Sequence, residues 1–99
     1  MSEVKAITVR VGEDAERKTF TGRAAWALNH LIGAGANGCT PIEQPGPRWS
    51  HYCWLIRRAG LNVETVTESH GGTYSGHHAR YVLRSPVEVL EIQEAGAHS

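Results

Sequence analysis

The sequence lacks any long hydrophobic run. Its apolar stretches are far shorter than the ~20 residues needed to cross a bilayer, so no membrane-spanning helix is expected. It is also poor in cysteine, with only Cys39 and Cys53, which excludes a small disulfide-stapled secreted scaffold. The start, Met1-Ser-Glu-Val-Lys-Ala-Ile, has charge early and no apolar core, so it does not read as a signal peptide. Together these features predict a reduced, cytoplasmic protein with two free thiols. Net charge is lacking too: ten Lys and Arg balance ten Asp and Glu, leaving six His. Charge alone therefore does not announce a nucleic-acid ligand, and any such reading depends on where the charges sit.

At 99 residues with 40% hydrophobic and 20% charged residues, the chain can build one modest core and is not disordered by composition. A single domain over residues 1–99 is expected, with its core at about 4–85 and a tail at 86–99. Residues 4–11, Val-Lys-Ala-Ile-Thr-Val-Arg-Val, are rich in β-branched residues and predict a strand, and 17–20 predict its hairpin partner. Thr21 is placed to cap a helix over Gly22–Ala34, with Ala24, Leu28, Leu31 and Ile32 on one face, Ala25 flanking it, and Gly33, Gly35 and Gly38 ending it. Thr40-Pro-Ile-Glu43 has the form of a capping box, but Pro45-Gly-Pro47 allows it one turn at most. A further helix is predicted over 47–59. Leu61–Ser69 and His77–Arg84 then read as two strands of a hairpin around a Gly-rich turn. For 86–93, Ser85-Pro86-Val-Glu88 suggests a helix start while Val87–Ile92 has strand composition; a strand is favoured because a sheet already exists for it to join.

The helix at 47–59 carries the functional signal. At 100° per residue, Trp49, Tyr52, Cys53, Ile56 and Ala59 form one apolar arc. Ser50, His51, Trp54, Arg57 and Arg58 form the opposite one, which contains no carboxylate. Arg can bond guanine bidentately, and Ser and His can reach bases or phosphates. Trp54 is expected to pack on a sugar or a thymine methyl. The hairpin tip offers Thr73, Tyr74, Ser75 and His77 for phosphate contacts. Arg80 and Arg84 either reach a phosphate or pair with Glu64 and Glu68 across the hairpin. Arg23 and Arg48 add candidate phosphate contacts.

Signals for other chemistry are weak. The glycines at 71–76 before His77-His78 lack the Lys and Ser/Thr of a phosphate loop. His70, His77, His78 and Cys39 have no structural-zinc spacing. Cys53 falls on the apolar arc, where a buried thiol is expected rather than a nucleophile. No carboxylate pair faces a predicted cleft. No enzyme activity, cofactor or metal is expected.

The segments Thr19-Phe-Thr-Gly-Arg-Ala-Ala-Trp26, Gly38-Cys-Thr-Pro-Ile42, Pro47-Arg-Trp-Ser50, Leu55-Ile-Arg-Arg-Ala-Gly60 before Val63-Glu-Thr65, and Ala79-Arg-Tyr-Val-Leu83 make the chain resemble small bacterial and phage winged-helix proteins over roughly residues 19–85. The resemblance implies an α+β winged helix: a helix-turn-helix with a C-terminal β-hairpin wing, here with an N-terminal β-hairpin as well. It implies a recognition helix at 47–59 and, more weakly, DNA binding, since fold is not function. The short second helix departs from the family's usual helix-turn-helix. Two functions follow as expectations. One is a small regulator of transcription binding double-stranded DNA, with helix 47–59 in the major groove and a homodimer or protein partner supplying a second half-site. The other is a protein–protein interaction module in which the same Arg and Trp face is the hot spot and no nucleic acid binds.

Overall fold

A computed structural model describes residues 3–13, 16–41, 48–70 and 76–95. Two β-strands open the chain, β1 (Glu3–Val11) and β2 (Arg17–Thr21), followed by α1 (Gly22–Ala34) and a 3₁₀ turn at Gly35–Asn37. Next come α2 (Trp49–Arg58), β3 (Val63–His70), β4 (Gly76–Leu83) and β5 (Val87–Ala95). The strands form two antiparallel sheets. One has the order β2-β1-β5 and the other is the β3-β4 hairpin.

The strand composition of 87–92 thus prevails over the helix-start signal before it. Ile92, Val89 and Val87 pair with Ile7, Val9 and Val11, so β5 extends the N-terminal hairpin into a three-stranded sheet. Two register irregularities, at Val4/Ala6 and Thr8/Val9, bend this pairing. Arg10 and Glu88, register partners on β1 and β5, also form an ion pair. A hydrogen bond from Gly12 N–H to Pro86 C=O closes the end of the sheet.

Helix α1 touches β1 and β2, and also α2 and β4, so it joins the sheet to the rest of the fold. Alanine is the strongest helix former and lets neighbours approach closely. Ala24, Ala25 and Ala27 are buried with Leu28 and Leu31, while Ile32 is only half-buried. Thr21 occupies the N-cap position in extended conformation, but its hydroxyl makes no capping bond, contrary to the sequence expectation. At the other end Gly35 takes positive φ and its N–H bonds Leu31 C=O. Gly38, at φ +68°, then turns the chain so that Cys39 pairs with Tyr81 through two 2.8 Å hydrogen bonds. The wing hairpin therefore acquires a third, one-residue rung directly after α1. Thr40 is buried and Pro41 exposed; Ile42 and Glu43 of the expected capping box, with Pro45 and Pro47, lie outside the described residues.

Helix α2 is the helix expected at 47–59, shorter by a residue or two at each end. Trp49, Tyr52, Cys53 and Ile56 are buried, which is the arc that 100° spacing selects. It ends in a Schellman arrangement: Gly60 N–H bonds Arg57 C=O, and Leu61 N–H bonds Ile56 C=O. Gly60 adopts the positive φ this requires, and Leu61 is buried immediately beyond it. Helix end and wing start are fixed together.

Both thiols are free and buried. Burial pushes Cys53 up to about 12, Arg57 opposes the rise, and Cys39 adds to it. Tyr81 is raised mainly by burial as well. A folded-state pKa above the unfolded value of 9.0 means that the folded chain holds more protons between the two values. Cys53 therefore contributes stability that is complete below pH 9 and is lost as pH rises toward 12. Unfolding free energies from urea titrations at pH 8 and pH 10.5 are expected to fall more in the native chain than in Cys53→Ala, by about 2 kcal/mol. Equal slopes would show that Cys53 does not titrate differently on folding.

Candidate nucleic-acid interface

The ten acidic residues are absent from both helices: none lies in Gly22–Ala34 or Trp49–Arg58. The helices hold Arg23, Arg57 and Arg58 instead, and Arg48 sits at the N-cap of α2. A chain with no net charge thus has carboxylate-free α1 and α2, and the acids among the described residues lie on strands or between β1 and β2.

The outward face of α2 is ordered by stacking. Trp54 is 49% exposed. His51, one turn before it, stacks on the indole at 5.9 Å with 18° between the planes. The Arg58 guanidinium, one turn after it, lies over the indole at 5.1 Å. Residues three and four apart share a helix face, so these three form a ladder along the axis. Trp54 thus has an imidazole stacked on its ring and a guanidinium over it, while about half of the residue stays exposed. In the free chain, the ring expected to pack on a sugar or a thymine methyl lies against His51 and Arg58. The indole holds the two polar groups at a fixed spacing, with a cation–π attraction of roughly 0.5–1 kcal/mol at such an exposed site. Ser50 is exposed beside the ladder, and Arg48 is exposed at its N-terminal end.

Arg23 joins this surface from α1. Its guanidinium lies 4.5 Å over Trp26 and 5.9 Å from the Tyr52 ring. Trp26 in turn contacts His30, Trp49 and Tyr52. Neither Trp26 nor His30 is among the sequence-predicted site residues, although the Arg23–Trp26 and Trp26–His30 spacings of three and four are a readable signal.

Arg57, Arg80 and Arg84 instead bond groups of the protein itself. Arg57 donates from Nε to Val63 C=O at 2.8 Å and from Nη2 to Thr65 Oγ1 at 2.6 Å, tying α2 to β3. Arg80 donates to Glu68 at 2.8 Å and to Asn37 C=O at 2.7 Å. Arg84 pairs with Glu64 at 2.7 Å. Of the two roles open to Arg80 and Arg84, the structure has them in cross-strand pairs, which neutralise the described part of the wing. Thr73, Tyr74 and Ser75 lie outside the described residues, and so does the side chain of His77. The structure therefore brings together His51, Trp54 and Arg58, leaves Ser50 and Arg48 exposed at the start of the same helix, sets Arg23 against Trp26 and Tyr52, and uses Arg57 and Arg80 as ties within the fold.

A helix presenting a polar face, held on one side by a second helix and on the other by a two-stranded antiparallel hairpin, defines a winged helix. The comparison of families agrees: a family model described as a winged helix domain (HTH_91) matches residues 17–93, and the chain belongs to that family. No curated protein and no solved structure matches the chain. The match begins at β2 and takes in most of β5, so it reaches beyond the 19–85 span of the resemblance.

Proposed function

We propose that this winged helix binds double-stranded DNA as a small regulator of transcription, with α2 lying in the major groove. The observation that carries the reading is the carboxylate-free surface of the two helices, with the His51–Trp54–Arg58 ladder at its centre. Phosphates repel carboxylates and attract guanidinium groups, so a chain of zero net charge can bind DNA only where its acids have been segregated away. In this reading Arg48 and Arg23 hold phosphates, while Ser50, His51 and Arg58 face base edges. Trp54 is a positioning residue that keeps Arg58 and His51 pointing outward. The N-terminus of α2 has no acid in its first turn, so the helix dipole adds to the attraction for phosphate.

Fluorescence anisotropy with a mixed-sequence duplex of about 20 base pairs, measured across a salt series, tests this. The double variant Arg48→Ala, Arg58→Ala is expected to bind at least tenfold more weakly at low salt. Its log–log salt slope should be shallower by about 1, for the phosphate that Arg48 no longer neutralises. Trp54→Phe keeps a ring beneath Arg58 and is expected to bind nearly as the native chain, whereas Trp54→Ala is expected to weaken binding several-fold. A slope unchanged in the double variant would remove this face from the interface.

A second reading is favoured by the neutralised wing. With Arg80 and Arg84 paired to Glu68 and Glu64, the basic surface is confined to the helices and does not run on into the described hairpin. A compact patch of Trp and Arg is also the composition of a protein-binding hot spot. A duplex titration without any effect on the amides of residues 48–58 would favour that alternative.

A further inference from the structure

The three-stranded sheet ends in two open edges of opposite charge. One edge is β5, where Glu88, Glu91 and Glu94 are exposed and no Lys or Arg occurs within Val87–Ala95. The other is β2, Arg17-Lys-Thr-Phe-Thr21, with two bases and no acid. Each strand is hydrogen-bonded to β1 on one side, and among the described residues neither has a strand on the other. β5 is nine residues long and contains no proline. It also exposes Val89 (38%), Leu90 (36%) and Ile92 (44%), which with Trp54 are the exposed large hydrophobic residues of the described chain. A long, unpaired edge with apolar side chains is a template for strand addition.

We propose that this chain self-associates head to tail, with the β5 edge of one copy adding to the β2 edge of the next. Charge selects this partner. Pairing β5 with β5 about a two-fold axis sets three carboxylates of one copy against three of the other, and like charges on opposed strands are destabilising. Glu88 is already held by Arg10, but among the described residues no base is bonded to Glu91 or Glu94. The exposed Arg17 supplies one base, and Lys18 beside it, 3.5 Å from Glu16, a second. The geometry allows the pairing. β2 and β5 both run antiparallel to β1, so they are parallel to each other, and a second copy in the same orientation brings β2 alongside β5 as a parallel neighbour. This interface is heterologous: each addition leaves one free β5 and one free β2, so the assembly stays open. Every copy in such a row keeps its helices on the same side of a shared sheet. The association does not depend on what α2 binds.

Sedimentation equilibrium of the free protein at low salt, without DNA, tests the inference. The weight-average mass is expected to rise above that of one chain with increasing concentration, and to fall again when salt screens the edges. Glu91→Lys with Glu94→Lys gives a chain with two basic edges, and Arg17→Glu with Lys18→Glu gives one with two acidic edges. Each is expected to remain monomeric alone, and an equimolar mixture is expected to associate again. Concentration-dependent amide shifts in the native chain, confined to residues 17–21 and 87–95, provide a reading that needs no variant. A native chain that is monomeric at every concentration overturns the proposal. So does association that survives in the Arg17→Glu, Lys18→Glu variant, because that result assigns self-association to β5 alone or to another surface.

Discussion

Gly38→Ala is expected to destabilise the protein by about 2–4 kcal/mol, in keeping with a strained backbone plus a steric clash. Gly38 has φ +68°, where a side chain is disfavoured whatever the space around it. Space is lacking as well. A Cβ there would lie 2.6 Å from the Tyr81 carbonyl oxygen, 2.8 Å from Val82 Cγ2 and 3.1 Å from Arg80 Cγ. The closest of these is backbone and cannot swing aside. Relief requires moving β4 away from Cys39, which breaks the paired 2.8 Å hydrogen bonds between Cys39 and Tyr81. The damage should be local in origin: hydrogen exchange should accelerate first in β3 and β4, before β1. Gly33→Ala is the control, because a Cβ there meets nothing within 4 Å, and alanine is the better residue inside a helix. It is expected to leave stability unchanged or raise it by about 0.5–1 kcal/mol. Urea titrations of the two variants decide the matter, and a Gly38→Ala midpoint equal to that of Gly33→Ala would refute the argument.

The second large effect is expected from Trp49→Ala, at about 3–5 kcal/mol. Trp49 is 2% exposed and is the largest side chain so deeply buried. It stacks on Tyr81 of the wing at 5.9 Å and 12°, and meets Trp26 of α1 at 5.3 Å. One indole therefore fills the space where α1, α2 and the hairpin converge. Small domains have a total stability of about 5–15 kcal/mol, so removing it takes a large share and leaves a measurable unfolded fraction at ambient temperature. Trp49→Phe keeps most of the volume and should cost less. Thermal melts followed by near-ultraviolet circular dichroism report both the drop in stability and the disappearance of the stacked pair. A melt of Trp49→Ala within a few degrees of the native one would mean that the site collapses around the gap.

Local patterns made much of this fold legible in the sequence. The buried arc of α2 follows from side-chain spacing alone, since Trp49, Tyr52, Cys53 and Ile56 recur at intervals of three and four. β-Branched composition marks β1, and glycine marks the end of α1. The Thr21 cap was only half legible: the residue type identifies the position, but the capping bond depends on a side-chain rotation that a sequence does not encode. What stayed hidden was long-range. The ties from Arg57 to Val63 and Thr65, and from Arg80 to Asn37 and Glu68, bring together groups whose meeting depends on how whole elements dock. Four arginines look alike in a sequence, yet the fold uses Arg57, Arg80 and Arg84 to fasten its own parts and leaves Arg58 on the surface over Trp54. The candidate site was legible as a face of one helix. Its extension to Arg23 was legible only as a suggestion, because it requires α1 to pack beside Tyr52.

The pairing of β1 with β5 has a consequence for how the chain comes together in time. Val11 meets Val87 and Glu3 meets Ala95, so β1 finds this partner only in a strand that lies far later in the chain, beyond both helices and the hairpin. Closing so long a loop carries an entropic cost before any interaction offsets it, and pairings remote in sequence slow folding. β2, α1 and the hairpin can organise from nearer neighbours while one side of β1 still waits, with its amides and carbonyls facing water. During that interval β1 is itself an unpaired template, and Glu3, Lys5 and Arg10 are the charges that discourage a wrong strand from taking the place of β5.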